Sequence, residues 1–165
     1  MPGYQWLTAR FWWRPADFSI IRRQILSDDG TPGASANDQL LGAFEQRHQR
    51  LLPADVKSNY AIMNGSRDYT EEQHGWMRFW PIDDWRPAPQ QFPDDSVASA
   101  LPRHMFVCAD YAYECVYFVI DLDAASATYG AVYGLGATRA GLAATSFSEF
   151  VDQVANNSDA LHSYA

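Results

Sequence analysis

His104-Met105-Phe106-Val107-Cys108-Ala109-Asp110-Tyr111-Ala112-Tyr113-Glu114-Cys115-Val116-Tyr117-Phe118-Val119-Ile120-Asp121-Leu122 reads as two strands joined by an acidic, aromatic turn. The strands are His104–Ala109 and Cys115–Leu122, in a hairpin centred on Tyr111-Ala112. Val116–Ile120 is nearly continuous in apolar residues, as a central strand covered on both faces should be. The turn, Asp110 to Glu114, belongs on the surface, where connecting segments carry function more often than packed elements do.

Upstream of the hairpin, Trp76-Met77-Arg78-Phe79-Trp80 is strand-like and is stopped by Pro81. Alternation puts Trp76, Arg78 and Trp80 on one face, and both tryptophans are expected in the core. A Pro- and Asp-rich loop follows, from about Asp83 to Pro102. Downstream, Gly130–Leu135 and Gly141–Ala144 read as shorter strands. Ser146 then caps a closing helix, with Glu149 completing an S-x-x-E box. Phe147, Phe150, Val151 and Val154 are its buried stripe.

The first third is helical with breaks. After Pro15, which suits a first turn, Phe18, Ile21 and Ile25 recur at helical spacing. Ser27–Gly33 stops that helix and is the best linker candidate in the chain. A second helix should begin near Ser35, with Asp38 as its capping partner and Leu40, Leu41, Phe44 and His48 as its apolar stripe. Pro53 opens a third, carrying Val56, Tyr60 and Met63, and Gly65 stands where a left-handed C-cap is wanted. Helices, then sheet, then a closing helix make an α+β fold. Residues 1–36 form an N-terminal helical extension to a domain over 37–165, the whole being one compact unit.

The 165 residues carry 12 Lys plus Arg against 20 Asp plus Glu, a formal charge of −8. Residues 1–50 have six basic and five acidic groups, whereas 51–165 have six and fifteen. So acidic a chain is a poor binder of nucleic acid, whose phosphates need a basic face, and anionic lipid would repel it. No apolar run is long enough to span a bilayer and the start lacks a signal-peptide pattern, so a cytoplasmic location is expected. Cys108 and Cys115 could face each other across the hairpin, but reduced thiols are expected there.

Catalytic constellations are mostly missing. There is neither a nucleophile elbow nor a phosphate-binding glycine loop. Gly134-Leu135-Gly136 has its third glycine misplaced at Gly141. Asp121-Leu122-Asp123 starts like a calcium loop but reaches Val132 where a bidentate acid is needed. His48, His74, His104 and His162 show no paired ligand spacing, and the pairs Asp28-Asp29, Glu71-Glu72, Asp83-Asp84 and Asp94-Asp95 read as solvated loops. No catalytic residue, cofactor or metal is therefore assigned. Aromatic anchors ringed by acids suit a basic protein surface, and the candidates are Asp83, Asp84, Trp85, Asp110, Tyr111, Tyr113 and Glu114.

The order of motifs resembles the SUKH superfamily, the Smi/Knr cell-wall-assembly-regulator-like proteins. The resemblance runs over about residues 37–160. It takes in Ala43-Phe44-Glu45, Leu51-Leu52-Pro53-Ala54-Asp55, Tyr60 and Asn64-Gly65, then Met77–Asp84 and Phe106–Tyr111. Gly130-Ala131-Val132-Tyr133 and Ser146-Phe147-Ser148-Glu149-Phe150-Val151 complete it. It implies an α+β fold with a curved, mostly antiparallel sheet and no catalytic residues. Pro53, Ser146 and Glu149 would be structural, Asn64-Gly65 a C-cap, and Phe147 and Phe150 core. Bacterial members are mostly immunity proteins that neutralise toxins, often nucleases, whereas fungal members regulate cell-wall synthesis. The resemblance thus implies a non-enzymatic protein that binds a toxin domain, and the chain's acidity suits a basic one. The alternatives are a regulator or scaffold with no toxin partner and, from another class, a small hydrolase using Asp and His.

Overall fold

The computed structural model of the chain describes residues 17–27, 32–66, 68–70, 76–95, 97–137 and 139–164. Its sheet is an antiparallel meander in chain order: β1 (Met77–Phe79), β2 (Met105–Tyr111), β3 (Val116–Asp121), β4 (Val132–Gly136) and β5 (Ala140–Ala144). The hairpin of β2 and β3 stands at the centre and is buried almost throughout, as its unbroken apolar run requires. The helices are α1 (Phe18–Ser27), α2 (Asp38–His48), α3 (Ala54–Ile62), α4 (Ala88–Gln91), α5 (Phe147–Ala155) and α6 (Asp159–His162). The architecture is α+β, and no described helix is long and apolar enough to cross a membrane.

Aromatic packing assigns the two faces of the sheet. Phe18 of α1 meets Phe79 of β1 at 4.7 Å between ring centroids, and Phe150 of α5 meets Phe118 of β3 at 4.8 Å. Phe79, Ala109 and Phe118 are cross-strand partners, so α1 and α5 cover this face. The period of two then turns Arg78, Asp110 and Tyr117, themselves in register, to the opposite face. A bulge between Val107 and Ala109 shifts the pairing there, and the buried Cys108 thiol donates to the Phe118 carbonyl at 3.3 Å.

Several local expectations are corrected. Asn37, not Ser35, caps α2: its side chain accepts the Leu40 N–H at 2.8 Å, while the Ser35 hydroxyl donates to the Ile62 carbonyl. Gly65 is not the C-cap of α3, because Met63 already leaves the helix in an extended conformation. The φ of +69° at Gly65 serves a close approach instead, since a Cβ there would lie 2.6 Å from the Phe79 carbonyl oxygen. Asn64 fastens the same joint, accepting the Ile82 N–H at 2.8 Å and donating to Asp83 at 3.2 Å. Trp76 stands outside β1 with φ +46° and is 37 % exposed rather than core. The Pro-rich loop contains α4 and a 3-10 turn at Ala98–Ala100. Ser146 does cap α5, accepting the Glu149 N–H at 3.1 Å, while the Glu149 carboxylate takes the Thr145 N–H at 2.7 Å. Pro15, residues 28–31, Glu71, Glu72 and His74 lie outside the described residues.

Candidate functional site

The outer face of the sheet carries a polar network built on Asp110, which is fully buried. Arg78, its neighbour on β1, donates to it through Nε at 2.9 Å, with Nη2 at 2.8 Å from the same carboxylate oxygen. Trp80 Nε1 donates to that oxygen at 2.6 Å. The other oxygen accepts from the Tyr69 hydroxyl and, at 3.3 Å, from the Glu114 N–H. A buried charge survives only when it is paired and hydrogen-bonded, and here donors from four residues converge on it. The arginine's second partner is Glu114, at 3.1 Å, which also accepts from the Tyr117 hydroxyl at 2.9 Å.

This network holds an unusual turn. Ala112, Tyr113 and Glu114 follow one another at φ +50°, +57° and +69°, a left-handed stretch without a glycine. Each non-glycine residue in that region costs about 1–2 kcal/mol. The Cys115 N–H closes the turn on the Tyr111 carbonyl at 3.1 Å, and the Ala112 N–H reaches Trp76 at 3.0 Å. With Trp76, four of the six positive-φ non-glycine residues described cluster at this one place. Strain of this kind persists where the surroundings over-determine it, and it collects at functional sites.

The turn presents aromatic surface. Tyr113 is 68 % exposed and stacks on Tyr69 at 4.6 Å and Trp76 at 6.1 Å. The Arg78 guanidinium lies over the Tyr69 ring at 4.9 Å and the Trp80 ring at 5.8 Å. Trp80 then meets Tyr117, which stacks on Phe92 of the Pro-rich loop at 4.3 Å. A ladder of rings and one guanidinium therefore crosses the face from Trp76 to Phe92. Two cavities flank Glu114: one of about 460 Å³ between Arg78, Trp80, Asp84 and Arg86, the other of about 330 Å³ between Phe92, Val97, Tyr117 and Leu135.

Electrostatics suit holding rather than proton transfer. Burial opposes the charge of Arg78, but the Asp110 carboxylate outweighs it and raises the guanidinium pKa further. Burial, then the bonds to Asp110 and Glu114, push the phenols of Tyr69 and Tyr117 far up, so both stay protonated donors. Away from this face, His104 lies 3.7 Å from Asp121 and 3.9 Å from Asp123. Among the described residues no group of three or more His, Cys, Asp or Glu could hold a metal ion.

The expected contact residues divide. Tyr113 and Glu114 are exposed together at the turn, and Asp83 and Asp84 are exposed on the 3-10 turn after β1. Trp85 is buried instead: its ring packs on Phe44 and Tyr60, and its indole N–H is held by the Tyr60 hydroxyl and the Trp80 carbonyl, each at 3.1 Å. Asp110 supports the turn from beneath rather than facing solvent, and Tyr111 is half-buried against the core. Cys115 is exposed in the turn and does not face Cys108; both thiols are free. Tyr69, Tyr117, Phe92 and Val97 escape a reading by segments, because only the register and the course of the loop bring them together. A family model described as SMI1 / KNR4 family (SUKH-1) matches residues 35–153, which include the whole of this face. Among curated proteins, none matches the chain.

Proposed function

The chain belongs to the SMI1/KNR4 family (SUKH-1), and from that premise we propose that it is an immunity protein which binds and neutralises a basic toxin domain. Membership supports a non-catalytic role of the immunity or regulator type. The observation that favours the immunity role is the hairpin tip, where Tyr113, more than two-thirds exposed at 68 %, stands beside Glu114 on a strained turn. Aromatic anchors with charged neighbours are what protein interfaces use for affinity and orientation.

The mechanism is blockade. Acidity concentrated after residue 50, fifteen acids against six basic groups, would draw in a basic cleft. It would then exclude the polyanionic substrate that such a cleft serves. Steering of this kind raises the association rate and weakens with salt. Both partners would meet in the cytoplasm.

Co-expression with the toxin encoded beside this chain tests the proposal. Rescue of growth together with a stable complex is the expected result. No rescue and no complex overturns the immunity role and leaves the regulator without a toxin partner as the surviving reading.

A further inference from the structure

Of the two cavities beside Glu114, the smaller has the clearer chemistry. It measures about 330 Å³, at the low end of the roughly 300–1,000 Å³ typical of binding pockets. Phe92, Val97, Tyr117 and Leu135 wall it, and Asp95 and Glu114 are the charged residues on its rim. Both acids are fixed in place. Asp95 accepts the N–H groups of Val97 and Ala98, each at 2.8 Å, and Glu114 is held by Arg78 and Tyr117. Val97 forms an exposed apolar lip, 53 % accessible. The larger cavity, by contrast, sets Arg78 and Arg86 against Asp84 and Glu114 and so prefers neither sign.

We infer that the smaller cavity receives an apolar side chain of a partner protein, with an adjoining lysine or arginine of that partner paired to Asp95 and Glu114. Charge complementarity selects this occupant. Segment 78–102 and the turn at 110–117 hold six acids and two arginines, a net of −4, so a second copy of the acidic chain or an acidic segment would be repelled. Preformed acids cost little ordering on binding, and an apolar anchor in a walled pocket is the usual form of an interface hot spot. The inference rests on the protein-binding part of the proposed function but not on the partner's being a toxin.

The test titrates two peptides, acetyl-Arg-Trp-Arg-amide and acetyl-Glu-Trp-Glu-amide, into the full ¹⁵N-labelled chain. The basic peptide should move the amide signals of Val97, Ala98, Cys115 and Ala137, less so at high salt, and the acidic one should not. Val97→Arg, at an exposed position, should weaken the basic peptide about tenfold, whereas Leu51→Arg, at another exposed apolar residue, should leave it unchanged. Equal response to both peptides, shifts elsewhere or none, or an unaffected Val97→Arg would overturn the inference. Peptide binding without toxin rescue would remove the toxin and keep the site. Toxin rescue undiminished by Val97→Arg, with no peptide binding, would do the reverse.

Discussion

Arg78 and Asp110 face each other across the first two strands and close an ion pair at 2.8 Å beneath the hairpin tip. Because Asp110 is fully buried and shared with Tyr69, Trp80 and the Glu114 N–H, this pair joins the sheet to the left-handed turn. The exposed surface of Tyr113 is therefore set by a carboxylate that never reaches solvent.

Removing that carboxylate should be costly, since it leaves Glu114 as the one acid beside a partly buried guanidinium and takes the shared acceptor from four donor residues at once. Asp110→Ala should lower the unfolding free energy by about 3–5 kcal/mol in denaturant titrations. A loss under about 1 kcal/mol, the range of an exposed pair, would show that the network does not act as a unit.

The turn itself should accept glycine. Ala112 sits at φ +50°, so Ala112→Gly relieves backbone strain and should stabilise the protein by about 1 kcal/mol, net of the flexibility that glycine adds to the unfolded chain. A fall in melting temperature would mean that the alanine is not strained there.

Gly136 and Tyr164 make a second lock, on the helix-covered face. A Cβ at Gly136 would lie 1.8 Å from the Tyr164 carbonyl oxygen, and one at Gly134 would lie 2.8 Å from its ring. The tyrosine hydroxyl also ties the last strand, donating to the Leu142 carbonyl at 2.8 Å. Gly136→Ala should expel Tyr164, cost about 2–4 kcal/mol and open residues 159–164 to carboxypeptidase. In a chain ending at Ser163 the same substitution should cost little. Equal cost in both chains would place the clash elsewhere.

Much of this architecture was readable in order and little of it in depth. The apolar run of Val116–Ile120 and the stripe of Phe147, Phe150, Val151 and Val154 announced a central strand and a closing helix, because burial writes itself into periodicity. The cap at Ser146 was equally plain. The site was readable only at its tip, as acids and tyrosines in a turn. That Asp110 lies on the outer face between Arg78 and Tyr117, and is buried there by its own partners, follows from strand register, which no local pattern contains. Trp85 looked like an anchor beside two acids, yet Phe44 and Tyr60 enclose it through contacts 41 and 25 residues away in sequence. Gly134 and Gly136, whose third partner at Gly141 is misplaced for a nucleotide loop, make room for Tyr164.

Stability should also fall between neutral pH and about pH 5 through His48. Burial against Phe44 and Phe106, then the nearby Arg47 charge, hold its pKa below the usual imidazole value, and its buried Nε2 has no hydrogen-bond partner among the described residues. The unfolded chain therefore binds the proton more readily, so stability is complete above the ordinary histidine pKa of about 6.5 and declines as pH drops below it. The depressed carboxylates of Glu45, Asp121 and Glu149 act only in a lower range, once they begin to protonate below about pH 5. His48→Phe should flatten melting temperature between pH 7 and 5; an unchanged slope would assign the effect to another group.

The association rate with the proposed toxin partner, followed by stopped flow at rising salt, bears on the whole proposal. The wild-type rate should fall steeply with ionic strength. Glu114→Lys and Asp84→Lys should each lower it about tenfold at low salt and flatten its salt dependence. A rate indifferent to salt and to both reversals would mean that this acidic face is not the one that meets the toxin.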